Sequence, residues 1–237
     1  MLIAYAPQDA PHFAQRADPA YWHPAYERVL RECLYPLRPL GEFITHLTYG
    51  PIITRAEPPR DPSGVALVHQ GQIAEAGVDL RAAARLVPGC RWDRPSARLQ
   101  PSDIVLARSG MGSLARNRLA VFLEDTPAVV GSFVDLIRLE GLEPIYVALY
   151  LKSAFGWSQI HRLTNGVALP NVSFGEIRAL QVAVAPAELQ QEATARYRAE
   201  VLPTHRADPS AAGDAFGELV AWLQGELSVP GSTSAFA

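Results

Sequence analysis

"HRLTNGVALPNVSFGEIRALQV", residues 161–182, joins a polar, basic run to a glycine, a proline turn and a helix start. Ser173 and Glu176 have the S-x-x-E spacing of a capping box, in which each side chain bonds the other's orphan backbone N–H. That spacing predicts a short helix after Ser173, with Ile177 and Leu180 facing inward and QVAVA running on as a strand. Gly166 ends the preceding segment, and Pro170-Asn171 makes a turn. The stretch mixes helix and strand, and the class expected for the chain as a whole is α+β.

Upstream, EPIYVALYLKSAFG reads as a buried helix with Pro144 at its start and Gly156 at its end, because apolar residues surround it on all sides. WSQIHRL follows as a second short helix or turn. AVVGSFVDLIRL reads as one strand, and DIVLARSGMGSLARNRLAVF as two strands around a glycine-bearing turn. Residues 76–98 look irregular, with Trp92 plugging an edge of the core. GVALVHQGQI carries a compact β run ending in His69, Gln70 and Gly71, preceded by a turn-rich loop at 56–64. LGEFITHLTYG is extended. In residues 18–34, Tyr26, Val29, Leu30 and Cys33 share one helical face, which Pro36 and Pro39 then stop. Downstream, two helices are expected, split by a polar loop at 203–213, and their apolar side (Leu219, Val220, Trp222, Leu223) is one a monomer would leave open. GSTSAFA reads as a frayed tail. The expected divisions are an N-terminal extension and helix (1–36), a sheet-and-helix domain (37–186), a C-terminal helical arm (187–228) and a disordered tail (229–237).

With 237 residues, 49 % hydrophobic and 19 % charged, the chain is expected to bury a core and stay globular. Its apolar runs fall far short of the roughly 20 residues a membrane span needs, so no membrane partner is expected. MLIAYAPQDAPH lacks the basic start and long apolar core of a secretion signal. Cys33 and Cys90 form no disulfide or metal pattern, which fits a reducing cytoplasm. The net charge is −3, so no global excess of positive charge announces nucleic acid. Lys152 is the lone lysine and the other twenty basic residues are arginines. A GC-rich genome produces such a count, and so does a preference for the arginine fork on phosphates and guanine edges.

Several chemistries have no residues to carry them. No P-loop surrounds Lys152, and there is no H-E-x-x-H, C-x-x-C or G-x-S-x-G. The glycine loop and the Asn/Asp-Pro-Pro-aromatic run of an adenine methyltransferase are absent too. The G-x-G of RSGMGSLAR reads as a hairpin turn rather than a phosphate cradle. The expectation is a chain that catalyses nothing by itself and needs no cofactor or metal.

The order of segments adds a further reading. RADPAYWHPAYERVL…PLGEFI, GVALVHQGQI, LQPSDIVLARSGMGSL, EPIYVALYLKSAFGWSQIHRLTNG and LPNVSFGEIRALQVAVAP together resemble the target-recognition domain of type I restriction-modification specificity subunits, over roughly residues 15–200. The same domain closes many fused adenine methyltransferases. Pro39, Leu40, Gly41 and Glu42 match a P-L-G-E/D segment. Leu99 to Leu106 match an L-x-x-G-D-I/V-L strand with Ser102 in place of glycine. Tyr146 to Ser153 match an aromatic-aliphatic helix, while Gly166, Pro170, Asn171, Val172 and Ser173 precede the capped helix and the Val182 to Pro186 strand. The broken C-terminal helix departs from the family, and a single recognition domain is present where full subunits carry two.

The resemblance implies a twisted, mostly antiparallel sheet with flanking helices, followed by the helical arm. It also implies recognition of double-stranded DNA in a restriction-modification system. The implied partners are DNA and a DNA methyltransferase subunit or domain, with a restriction subunit and a second copy of this chain as further candidates. Candidate DNA-contacting residues are Gln70, Arg108, Ser109, Arg116, Arg118, Lys152, Gln159, Arg162, Thr164 and Asn165, whose side chains suit base edges or phosphates. For each, the alternative is an ordinary solvated or structural role: Lys152 can snorkel from its helix, and the arginines can be cross-strand charges. His161, Pro170, Asn171, Ser173 and Glu176 are read as structural. Trp22, Trp92, Trp157 and Trp222 are read as core or interface anchors. Two rival readings remain open: the C-terminal part of a methyltransferase polypeptide, and a protein-binding module that touches no DNA.

Overall fold

The computed structural model describes residues 21, 23–52, 57–164 and 170–231. Trp22, Asn165, Gly166 and residues 232–237 of the expected tail lie outside the described residues.

The first helix, α1 (Pro24–Arg31), starts on the proline as expected, with Tyr26 and Val29 buried. A short strand β1 (Leu37–Pro39) leads through a tight turn into β2 (Ile44–Tyr49). The apolar run of β3 (Arg60–Val68) is followed by β4 (Ala84–Leu86), a strand inside the region the sequence left irregular. β5 (Ile104–Ala107) and β6 (Leu119–Val121) form the expected pair around the glycine-bearing turn. β7 (Ala128–Val130) and β8 (Val134–Leu139) come next, followed by the buried helix α2 (Pro144–Lys152), α3 (Ala154–Thr164) and α4 (Phe174–Ala179). β9 (Gln181–Ala183) leads to the arm: α5 (Ala187–Arg196), a wider turn at Tyr197–Val201, α6 (Leu202–Ala207) and α7 (Gly213–Leu227).

The class is α+β, and among the described residues every strand pair is antiparallel except β3 with β7. The described strands divide into three sheets: β1-β9, β2-β8-β5-β6 and β4-β3-β7. The four-stranded sheet is the middle layer, and its period-2 alternation feeds two cores. Ile104, Leu106, Leu119, Val121 and Ile137 pack with α2 and the arm, while Val105, Ala107, Ala120, Val134 and Leu136 pack with the three-stranded sheet. With both faces covered, β5 and β6 read as continuous apolar runs.

AVVGSFVDLIRL is two strands, not one. The turn at 131–133 carries the chain from the three-stranded sheet to the four-stranded sheet, with Gly131 N–H donating to Val68 O at 2.8 Å. Gly156 does not end the buried helix either. That helix stops at Lys152, and Ser153, extended at ψ 171°, starts the next one by accepting from Trp157 N–H. Gly156 lies inside α3 because a Cβ there would sit 2.2 Å from Leu151 Cα, so the α2–α3 corner closes only around glycine. Ser102, where the family pattern has glycine, adopts φ 79°. The turn has kept the backbone that favours glycine and tolerates a serine in it.

The break expected at 203–213 is a turn confined to the residues between α6 and α7. Pro203 removes an N–H and crowds the preceding turn, and the widened turn at Tyr197–Val201 just before it absorbs that conflict. The helix continues because Tyr197, Val201, Leu202 and His205 are buried. The apolar side of α7 is spent inside the chain: Leu219 and Leu223 are fully buried, and Trp222 lies under the Arg196 guanidinium at 4.4 Å. Val229, placed in the tail by the sequence, is tied to Glu32 O.

Candidate nucleic-acid interface

Four connections meet at the tips of the central strands: 69–72 after β3, 108–118 between β5 and β6, 131–133 between β7 and β8, and 170–173 before α4. Gln70 organises three of them. Its Nε2 donates to Ser109 O at 2.9 Å and Phe133 O at 3.0 Å, and its Oε1 accepts from Ser113 Oγ at 2.9 Å. Arg118 Nη1 reaches Gln70 O at 3.4 Å. Ser109 pairs with Asn171 as an isolated antiparallel bridge, which brings in the fourth connection. A glutamine amide with both ends occupied fixes the relative position of the loops, and side chains that read DNA need that rigidity.

Arg108 acts as a clamp beneath this surface. Its guanidinium stacks 4.4 Å from the Tyr49 ring centroid and 5.4 Å from that of Phe174, and its Nη2 donates to Val172 O at 3.0 Å. Its Nη1 lies 3.6 Å from the carboxylate of fully buried Asp135. Burial pushes the Asp135 carboxyl up from 3.8 to about 7, with the Arg108 charge pulling the other way. These partners hold Arg108 in the scaffold.

The helix before the opening stretch behaves similarly. Gln159 is 9 % exposed; its Nε2 donates to Phe155 O and Gln181 O, and its Oε1 accepts from Gln181 N–H at 2.7 Å. The side chain thereby copies a β-ladder pair onto β9, which places it in the scaffold and not at the surface expected of a base reader. Thr164 is buried and donates to His161 O. Arg162 lies over the Tyr21 ring at 4.2 Å and donates from Nε to Tyr21 O at 2.6 Å. Lys152 sits 5.9 Å from the Phe216 ring centroid, and burial lowers its pKa to about 8 against the pull of Glu75. These contacts turn Lys152 and Arg162 toward the body of the chain. Asn165 lies outside the described residues. His161 accepts or donates at Tyr26 Oη and packs against Trp157, the structural role expected of it.

Gln70, Ser109, Arg116 and Arg118 are therefore the expected residues that share the loop surface, with Arg116 exposed at the β5–β6 tip. Sequence reasoning missed Met111 and Phe133, exposed at 58 % and 47 % on the same connections. The glycines around Met111 mark its turn, but nothing in the sequence marks Phe133. The capping box forms as read: Ser173 Oγ accepts from Glu176 N–H, and the Glu176 carboxylate accepts from Ser173 N–H at 2.8 Å. Among the described residues no cluster of His, Cys, Asp and Glu could hold a metal ion, and no helix is long and apolar enough to cross a membrane.

No protein-family model and no curated protein matches the sequence. Among solved structures, the type IIG restriction endonuclease BpuSI matches at a TM-score of 0.58 and 11 % identity, over 90 % of this chain and 34 % of its own. The type I restriction-modification S subunit from M. genitalium matches at 0.48 and 12 %, over 90 % and 53 %. The HsdS subunit from Thermoanaerobacter tengcongensis matches at 0.47 and 14 %, over 85 % and 48 %. The chain spans between a third and about a half of the length of these structures. At 11 % identity the likeness to the type IIG enzyme is one of fold, and at that level the expectation drawn from the ordered segments is met: this chain shares a fold with part of a restriction endonuclease.

Proposed function

We propose that this chain is a sequence-specific duplex-DNA recognition module that directs adenine methylation or restriction in a restriction-modification system. One observation carries the reading beyond the fold. The four connections at 69–72, 108–118, 131–133 and 170–173 contain no acidic residue, and Arg116 and Arg118 share their surface while Arg108 is held beneath it against Asp135, in a chain whose net charge is −3. A positive surface locked by Gln70 suits phosphates, and amide, hydroxyl and apolar groups beside it suit base edges.

On this reading, residues 37–186 form the recognition unit and 187–228 the arm that docks on a partner. That partner is a DNA methyltransferase subunit or domain, carried on a separate chain or on the same polypeptide. Leu219 and Leu223 are buried within the chain, which leaves Val220 and Trp222, each partly covered, as the apolar side available to a second copy.

Selection from a random duplex pool with the whole chain, followed by mobility shifts over a range of salt, tests the reading. One motif should be enriched. Arg116→Ala should leave folding within about 0.5 kcal/mol and reduce the salt slope by about 1. A pool that emerges unenriched sinks the reading.

A further inference from the structure

The turn between β7 and β8 holds a bulky residue where the backbone calls for a small one. Phe133 has φ 65°, the left-handed region that suits glycine or asparagine and is an outlier for a large side chain. Two hydrogen bonds converge on its carbonyl and hold it there: Gln70 Nε2 and Arg108 N–H, each at 3.0 Å. Among the described residues, neither hydrophobic core takes the ring, which is 47 % exposed. Local geometry would thus be served by glycine. Backbone strain of this kind persists where surrounding structure over-determines it, and it concentrates at sites of function.

The position has a definite neighbourhood. Gln70 Nε2 bonds both Phe133 O and Ser109 O, so the ring is mounted beside the β5–β6 tip with its exposed Met111 and Arg116. An apolar ring on a rigid turn, joined through Gln70 to a connection that carries Arg116 and Arg118, is complementary to a polyanion with an apolar interior. Duplex DNA has that construction, and proteins that kink it insert Phe, Leu, Ile or Met between base pairs while cations hold the phosphates.

We propose that Phe133 is a wedge that enters the base stack at one step of the DNA target, with Arg116 and Arg118 of the neighbouring β5–β6 connection holding phosphates. The proposal rests on the DNA-recognition reading above and names the residue that deforms the duplex. Deformation adds specificity at steps no side chain contacts, because flexible pyrimidine–purine steps cost least to open. The stored strain has a purpose in this arrangement: a ring fixed by Gln70 and Arg108 pays little ordering entropy on binding.

The test uses the whole chain and the duplex motif selected by it, with 2-aminopurine placed at each position in turn. Fluorescence of 2-aminopurine rises when its stacking is lost, so the wild-type protein should brighten it at one step. Phe133→Gly and Phe133→Asn both accept the left-handed backbone, and circular dichroism should show them folded with melting temperatures near that of the wild type. Each should bind the motif about tenfold to a hundredfold more weakly and lose the fluorescence rise. Phe133→Trp should keep both. Unchanged affinity in the glycine and asparagine variants overturns the wedge, and so does weakened binding with no fluorescence rise in the wild type. If the wild type selects no motif at all, the DNA-recognition reading falls and the wedge falls with it.

Discussion

Replacing Asp135 with asparagine should make the protein more stable at neutral pH and leave it less stable in acid. Asp135 lies in β8 between Tyr49 of β2 and Leu106 of β5, and it is fully buried. Neither carboxylate oxygen has a hydrogen-bond partner among the described residues, and the Arg108 guanidinium 3.6 Å away is its compensation. Burial raises the carboxyl pKa from 3.8 to about 7. Between these values the folded chain holds a proton that the unfolded chain has released. Stability therefore falls as pH rises through that window, by up to roughly 4 kcal/mol, and levels off above it. Asparagine cannot ionise, but its amide is left short of partners at a cost of about 1–3 kcal/mol. The variant should accordingly be about 1–3 kcal/mol less stable than the wild type near pH 4 and about 1–3 kcal/mol more stable at pH 8. Urea unfolding of both proteins at pH 4, 6 and 8 measures the difference, and other titrating groups cancel in the comparison. A gap between the two that stays constant over this range would refute the reasoning, because it would mean that Asp135 does not titrate there.

Two more substitutions separate scaffold from surface. Gln159→Ala should cost about 1–3 kcal/mol in thermal or urea unfolding, since the backbone N–H and C=O of Gln181 lose their partners, while the selected DNA motif stays the same. Ser173→Ala should cost about 1 kcal/mol through loss of the helix cap, read as a lower urea midpoint at unchanged slope.

The signals legible in the sequence were local ones. The capping box at Ser173 and Glu176, the proline starts of α1 and α2, and the apolar runs of β3 and β5 each depend on a few neighbouring residues, and each formed as read. The wholly buried α2 was readable because no polar side remained for solvent. Where local signals conflicted, tertiary packing chose: the helix runs on past Pro203 because Val201, Leu202 and His205 have a core to enter. At the candidate site the sequence determined which chemistries were available, a surplus of arginine, amide and hydroxyl groups on polar connections. It could not determine which of them face outward. Gln70 finds partners 39, 43 and 63 positions away, Arg108 one 64 positions away, and Gln159 one 22 positions away. Whether a polar side chain stays available for a ligand is settled by such long-range hydrogen bonds and by the charge buried beside it. The left-handed backbone of Phe133 is of the same kind, since it exists only where Gln70 and Arg108 arrive from other strands to hold it.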